Sequence, residues 1–185
     1  DIEEACPDAW FLNYSNPMAM LTGALLTDSS VRGVGLCHSV QGCARSLLKN
    51  LDFSVPEERL RWHVAGINHM AWLLEVSDGA EDLYPEIKVR AAEKVTAARK
   101  PGAEKYNDMV RMDGIRHFGY YVTESSEHNA EYTPYWIKRT HPELIDEFSI
   151  PLDEYPRRCV DQIATWNEMS RTMVDNPELS HERTH

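Results

Sequence analysis

Val31-Arg-Gly-Val-Gly-Leu-Cys37-His38-Ser-Val-Gln-Gly42 is the stretch on which the reading of the fold turns. A short apolar run ends on a thiol, and a turn of small residues then opens a helical pattern over residues 39–51. In that pattern Val40, Ala44, Leu47, Leu48 and Leu51 recur at helical spacing. Strand, turn and helix in this order form the unit of an α/β fold, which presents its chemistry at the carboxyl ends of its strands. Upstream, residues 9–13 read as a strand and 17–26 as a helix with Pro17 in its first turn. Downstream, residues 59–67 and 69–76 read as adjacent strands interrupted at Gly66, and Asp78-Gly79 marks a turn. A helical pattern begins at Glu81, breaks at Pro101-Gly102, resumes through His117 and ends at Gly119. Residues 127–138 and 143–148 read as shorter helices, and 152–174 as a long helix interrupted near Pro156. Strands alternating with helices at the front imply a parallel sheet, and the later helices imply an attached α-rich region, so the fold class is α/β.

Composition excludes several kinds of partner. A formal net charge of −11 supplies no basic footprint for nucleic acid or for an anionic membrane surface. No apolar run approaches the roughly twenty residues that span a bilayer; the best, residues 19–26, is broken by Thr22 and Gly23. The first residues, Asp1 to Glu4, have neither the basic nor the apolar part of a signal peptide. Cys6, Cys37, Cys43 and Cys159 form no C-x-x-C pair, which fits reduced thiols in a cytoplasm.

Cys37 and His69 stand at the ends of expected strands, and a thiolate with an imidazole suits a divalent transition metal. Two protein ligands leave coordination positions open, which favours substrate chelation over a closed structural site. Taken only as residue types, a cysteine and a histidine so far apart are more often core or surface residues than ligands. His63 and His117 read as structural or exposed, and Cys43 as packing. His181 and His185 have the spacing of a helical metal pair but lie at the very end of the chain.

Four segments carry a resemblance. Asn13-Tyr-Ser-Asn16-Pro17-Met18-Ala19-Met20, Gly35-Leu-Cys37-His38-Ser-Val-Gln-Gly42, Ala65-Gly-Ile-Asn68-His69-Met70-Ala71 and Gly119-Tyr-Tyr-Val-Thr-Glu-Ser-Ser-Glu-His128-Asn-Ala-Glu-Tyr132-Thr-Pro resemble, in order, the motifs of family 4 glycoside hydrolases. The wording is that of the α-galactosidase (melibiase) and α-glucosidase branch, and Pro151-Leu-Asp-Glu-Tyr-Pro156 with Arg158-Cys-Val160 continues it. The resemblance implies the last strands of a Rossmann-like domain of the lactate and malate dehydrogenase type, residues 1–52, followed by a partial α+β substrate and metal-binding domain, residues 53–185. The glycine-rich turn that opens such a domain is not in the sequence, whose first glycine is Gly23, so no residue is assigned to the NAD phosphates. The chain therefore reads as an internal fragment, inactive by itself, of a longer enzyme.

The implied enzyme is a glycosidase that uses NAD⁺ and a divalent metal, commonly Mn²⁺, in place of the usual carboxylate pair. It oxidises the sugar at C3, removes the acidified C2 proton, eliminates the C1 leaving group, adds water and restores C3 without net redox change. The implied substrate is a small α-glycoside, foremost an α-galactoside, with α-glucoside and α-galacturonide as alternatives; the implied assembly is a homo-oligomer, dimer or tetramer. Carried over residue by residue, Cys37 and His69 match the metal ligands. Asn16 and Asn68 match substrate-contacting positions, although Asn16 also suits an Asx turn before Pro17 and Asn68 also suits a backbone role. His38 stands where it can assist leaving-group protonation. Tyr132 is the candidate base for C2. Alternatively a metal-activated water does this work, positioned by Glu124, Glu127 or His128, and Tyr132, Tyr135 and Trp136 form an aromatic helix face. Outside the family, a dehydrogenase of the lactate and malate type shares the implied fold but needs a catalytic His–Asp pair and a carboxylate-binding arginine.

Overall fold

The computed structural model describes residues 1–175, which form two compact units, one of residues Asp1–Ile150 and one beginning at Pro151. The first unit starts with a single helical turn, α1 (Ile2–Ala5), and then alternates β1 (Trp10–Asn13), α2 (Met18–Asp28), β2 (Arg32–Gly35) and α3 (His38–Asn50). β1 and β2 pair in parallel, Trp10 opposite Arg32 through Asn13 opposite Gly35. Parallel neighbours cannot be joined by a tight turn, so α2 carries the chain back. The face of α3 expected from its periodicity is the one it buries, with Cys43, Ala44, Leu47 and Leu48 inward.

The chain then changes style. β3 (Leu60–Ile67), β4 (Met70–Asp78), β5 (Glu81–Asp82) and β6 (Tyr121–Val122) form an antiparallel sheet in which β4 pairs with all three others. Between β5 and β6 lie α4 (Tyr84–Ala98) and α5 (Met109–Phe118); beyond β6 come α6 (Ser126–Tyr132) and α7 (Glu143–Glu147). Ile87, Ala91 and Val95 of α4 and Met109, Met112 and Ile115 of α5 pack with Leu47, Leu73 and Val76 into one core. Burying this much apolar surface is the main stabilising term of the unit. α5 ends as its sequence implies, on Gly119 at φ +83°.

Three expectations need correction. The strands over 59–76 are not interrupted at Gly66, which lies inside β3 opposite Ala71; the chain reverses at Asn68 and His69. Gly66 is required for a different reason. At φ +140°, a Cβ there would stand 2.5 Å from both the Cα of Ala71 and the carbonyl oxygen of Met70. The helix expected over 127–138 stops at Tyr132, because Pro134 disfavours helical backbone at Thr133, which is extended at φ −126° and ψ 148°. Tyr132, Tyr135 and Trp136 therefore do not share a helix face; Trp136 is buried past the helix end and donates its indole N–H to Asp113 at 3.0 Å. In the second unit α8 (Glu154–Asp175) runs unbroken through Pro156, which occupies its first turn, where a missing N–H leaves no bond unmade. Arg157 and Arg158 both pair with Glu154 of the same turn. His181 and His185 lie outside the described residues. No described helix is long and apolar enough to cross a membrane.

Candidate metal centre

Three separate elements deliver the site. At the end of β2 the Leu36 N–H donates to the Asn13 carbonyl at 2.9 Å, which ties the exits of both parallel strands together. Cys37 follows in extended conformation as the residue that caps α3. Opposite stands the tip of the β3–β4 hairpin, where His69 adopts φ +61°. A non-glycine residue held there costs on the order of 1 kcal/mol, a conformation that persists where surrounding structure over-determines it. Glu124 comes from the segment after β6, whose neighbour Thr123 donates its N–H to the Ala71 carbonyl at 3.0 Å. Cys37 Sγ, a ring nitrogen of His69 and a Glu124 carboxylate oxygen all lie within 4.8 Å of one another. His69 Nε2 is 3.3 Å from Glu124 Oε2, and Cys37 Sγ is 3.9 Å from the same oxygen and 3.0 Å from Ser39 Oγ.

The other nitrogen of His69, Nδ1, lies 3.2 Å from the Tyr132 hydroxyl. The rings of His69, His128 and Tyr132 stack on one another with centroids 5.6 to 6.0 Å apart. Beside the cluster is a cavity of about 170 Å³, lined among others by Met18, Cys37, Asn68, His69 and Thr123. Among the described residues, no lysine or arginine lines it.

The structure thus brings Cys37, His69 and Tyr132 into one constellation, with Asn68 exposed at the cavity margin. His38 is exposed at the start of α3 and rests on the Tyr14 ring at 4.7 Å. Asn16 is exposed before Pro17. The buried asparagine of this segment is Asn13. Its Oδ1 accepts the Ser15 N–H at 3.0 Å in an Asx turn, and its amide donates to Thr22 Oγ1 at 3.0 Å and the Met18 carbonyl at 3.3 Å. Glu127, His128 and Glu131 of α6 form a second donor group, with His128 Nδ1 2.9 Å from Glu131. Burial pushes the Cys43 thiol up to about 12, so it remains protonated and packs as an apolar group.

Donor chemistry and spacing both suit a divalent ion. With bonds of about 2.0–2.3 Å, two donors on one ion stand about 3–4 Å apart, and the two contacts to Glu124 Oε2 span that interval. For NAD⁺ the fit is partial: Gly23, the first glycine, sits inside α2, so the chain supplies no glycine-rich phosphate cradle.

Comparison with known proteins agrees with this picture. Residues 1–53 match the profile of family 4 glycosyl hydrolases, and residues 64–185 match that of the family 4 glycosyl hydrolase C-terminal domain. An α-galactosidase of Bacillus subtilis (strain 168) is 58% identical over 184 residues, covering 100% of this chain and 40% of that protein. Among solved structures, a 6-phospho-α-glucosidase from gut microorganisms in complex with NAD and Mn²⁺ superposes with a TM-score of 0.51 at 27% identity, over 78% of this chain and 36% of the other. The Bacillus subtilis protein lplD shares the fold at a TM-score of 0.73 and 24% identity, over 94% of this chain and 42% of its own. The chain therefore spans about two fifths of the length of these relatives. With both family profiles matched in sequence order along it, the chain belongs to the family 4 glycosyl hydrolases.

Proposed function

We propose that the full-length protein hydrolyses α-glycosidic bonds, α-galactosides foremost, with NAD⁺ and a divalent cation such as Mn²⁺. The observation that carries the reading is the meeting of Cys37 Sγ and His69 Nε2 around one carboxylate oxygen, in a chain 58% identical to an α-galactosidase. Residues 1–52 then form the end of an NAD-binding domain and 53–185 the start of a substrate domain. The parallel pair β1–β2 supports this, since parallel strands are normally covered on both faces while Trp10 and Leu12 are here 65% and 58% exposed.

When bound, NAD⁺ supplies a hydride acceptor for C3 of the sugar and the cation a Lewis acid for its oxygens. Cys37 and His69 hold the cation, and Tyr132 takes the C2 proton. A histidine that ligates through Nε2 carries its proton on Nδ1, so in the loaded site His69 donates to the Tyr132 oxygen 3.2 Å away and holds it beside the cavity. His38 protonates the departing oxygen at C1. Asn68, at the cavity margin, and Asn16 read the sugar hydroxyls with their amides. Among the described residues no cationic side chain lines the cavity, which supports an uncharged hexoside, because a phosphate or uronate calls for arginine or lysine.

The test is release of p-nitrophenol from its α-galactoside by the full-length protein, with NAD⁺ and Mn²⁺ each added or withheld. Hydrolysis that needs both additions and disappears in Cys37→Ser is expected. Hydrolysis that persists without either addition overturns the reading.

A further inference from the structure

The geometry points to Glu124 as a third protein ligand of the cation, an inference that rests on Cys37 and His69 being the other two. Glu124 is only 8% exposed, and a carboxylate so withdrawn from water needs compensation at both oxygens. Oε1 has it, accepting the Ser125 N–H at 2.8 Å. Among the described residues, Oε2 faces His69 Nε2 at 3.3 Å and the Cys37 sulfur at 3.9 Å. The three donor atoms lie within 4.8 Å of one another, close to the spacing of donors around one divalent cation, and such an ion seated among them would give Oε2 the partner its burial calls for.

The carboxylate is also held in place before any ion arrives. Thr123 is fixed on one side by its N–H bond to Ala71 and on the other by Arg111, whose guanidinium donates to the Thr123 carbonyl at 3.4 Å. Immediately after Glu124, the Ser125 hydroxyl accepts the His128 N–H at 3.2 Å and caps α6. Glu124 thus lies between a sheet strand and a helix cap. Such support is what a ligand needs if binding is not to cost the ordering of a loop. Three protein donors still leave positions open for sugar oxygens.

Mn²⁺ binding to the full-length protein, followed by loss of the free-ion electron paramagnetic resonance signal, tests this without turnover. Glu124→Gln keeps an oxygen for the Ser125 N–H but removes the charge, so a merely structural glutamate would leave affinity unchanged. A weakening of roughly 10- to 100-fold is expected for Glu124→Gln, with a further loss for Cys37→Ser. Glu124→Asp, which keeps the charge on a shorter stem, is expected to fall between wild type and Glu124→Gln, and it serves as the readout should Glu124→Gln fail to fold. Wild-type Mn²⁺ affinity in a folded Glu124→Gln or Glu124→Asp variant, alongside loss in Cys37→Ser, overturns the role of Glu124 and leaves the two-residue site standing. Wild-type affinity in Cys37→Ser as well removes the site itself.

Discussion

Replacing Asp108 by alanine should cost the first unit most of its stability. Asp108 is buried and accepts hydrogen bonds from the Tyr121 hydroxyl at 2.6 Å, the Asn50 amide at 3.0 Å and Ser126 Oγ at 3.3 Å, and it pairs with Arg111. The Arg111 side chain is largely withdrawn from water, 13% exposed, over the Tyr121 ring at 4.4 Å. Without Asp108 this guanidinium loses its counter-charge, which by itself costs about 3–5 kcal/mol. The abandoned Tyr121 and Asn50 donors add to that, each about 1–3 kcal/mol before relaxation and not additively. A total of about 5 kcal/mol is comparable with the whole stability of a small domain, about 5–15 kcal/mol. Urea unfolding followed by tryptophan fluorescence reads the loss as a lower midpoint at unchanged slope. The double variant Asp108→Ala/Arg111→Met separates a stranded charge from a simple packing defect. Because it removes both charges, it should be more stable than Asp108→Ala alone. A loss below about 1 kcal/mol for Asp108→Ala would refute the reasoning, since even one abandoned buried donor is worth that much; so would a double variant no more stable than the single.

Other consequences follow from the same geometry. Gly66→Ala should destabilise by about 3 kcal/mol, combining unfavourable φ with overpacking against backbone atoms of β4, and should weaken Mn²⁺ binding because His69 caps that hairpin; an unchanged melting temperature would contradict it. Cys43 gives a pH dependence. Burial raises its thiol to about 12, so the folded state favours the protonated form. That contribution is complete below the ordinary thiol value of 9.0 and is lost as pH rises through about 12. Up to about 4 kcal/mol is at stake, so the stability of Cys43→Ala should fall less steeply than wild type across this window; equal slopes in urea titrations would argue against it. Mn²⁺ should shield Cys37 from iodoacetamide while the exposed Cys6 and Cys159 still react and buried Cys43 stays unmodified, as judged by peptide mass spectrometry.

The front of the chain was legible because each element there has a clear period and a clear stop. Residues 10–51 alternate strand and helix, and α3 shows its buried face directly in the spacing of Ala44, Leu47 and Leu48. Local backbone chemistry was harder to read. The reversal at His69 rests on a left-handed non-glycine residue, for which the nearby Gly66 was a natural but mistaken choice. β6 has two residues and therefore no period at all. The early stop of α6 was written in Pro134, whose effect falls on the residue before it. Cys37 and His69 stood out through the segments around them. Glu124 stood out only as one of three residues that could position a metal-activated water, because its nearness to Cys37, 87 positions away, exists only once β6 pairs with β4. Asn13 and Asn16 look alike in the motif, and only the strand exit shows that the first is buried and the second exposed.

The most direct test of the proposed reaction is to let the full-length protein hydrolyse an α-galactoside in D₂O with NAD⁺ and Mn²⁺ and to examine the released galactose by proton magnetic resonance. Removal of the C2 proton and its later replacement from solvent should leave deuterium at C2. Galactose released with its C2 hydrogen intact would contradict that chemistry and indicate ordinary displacement at C1.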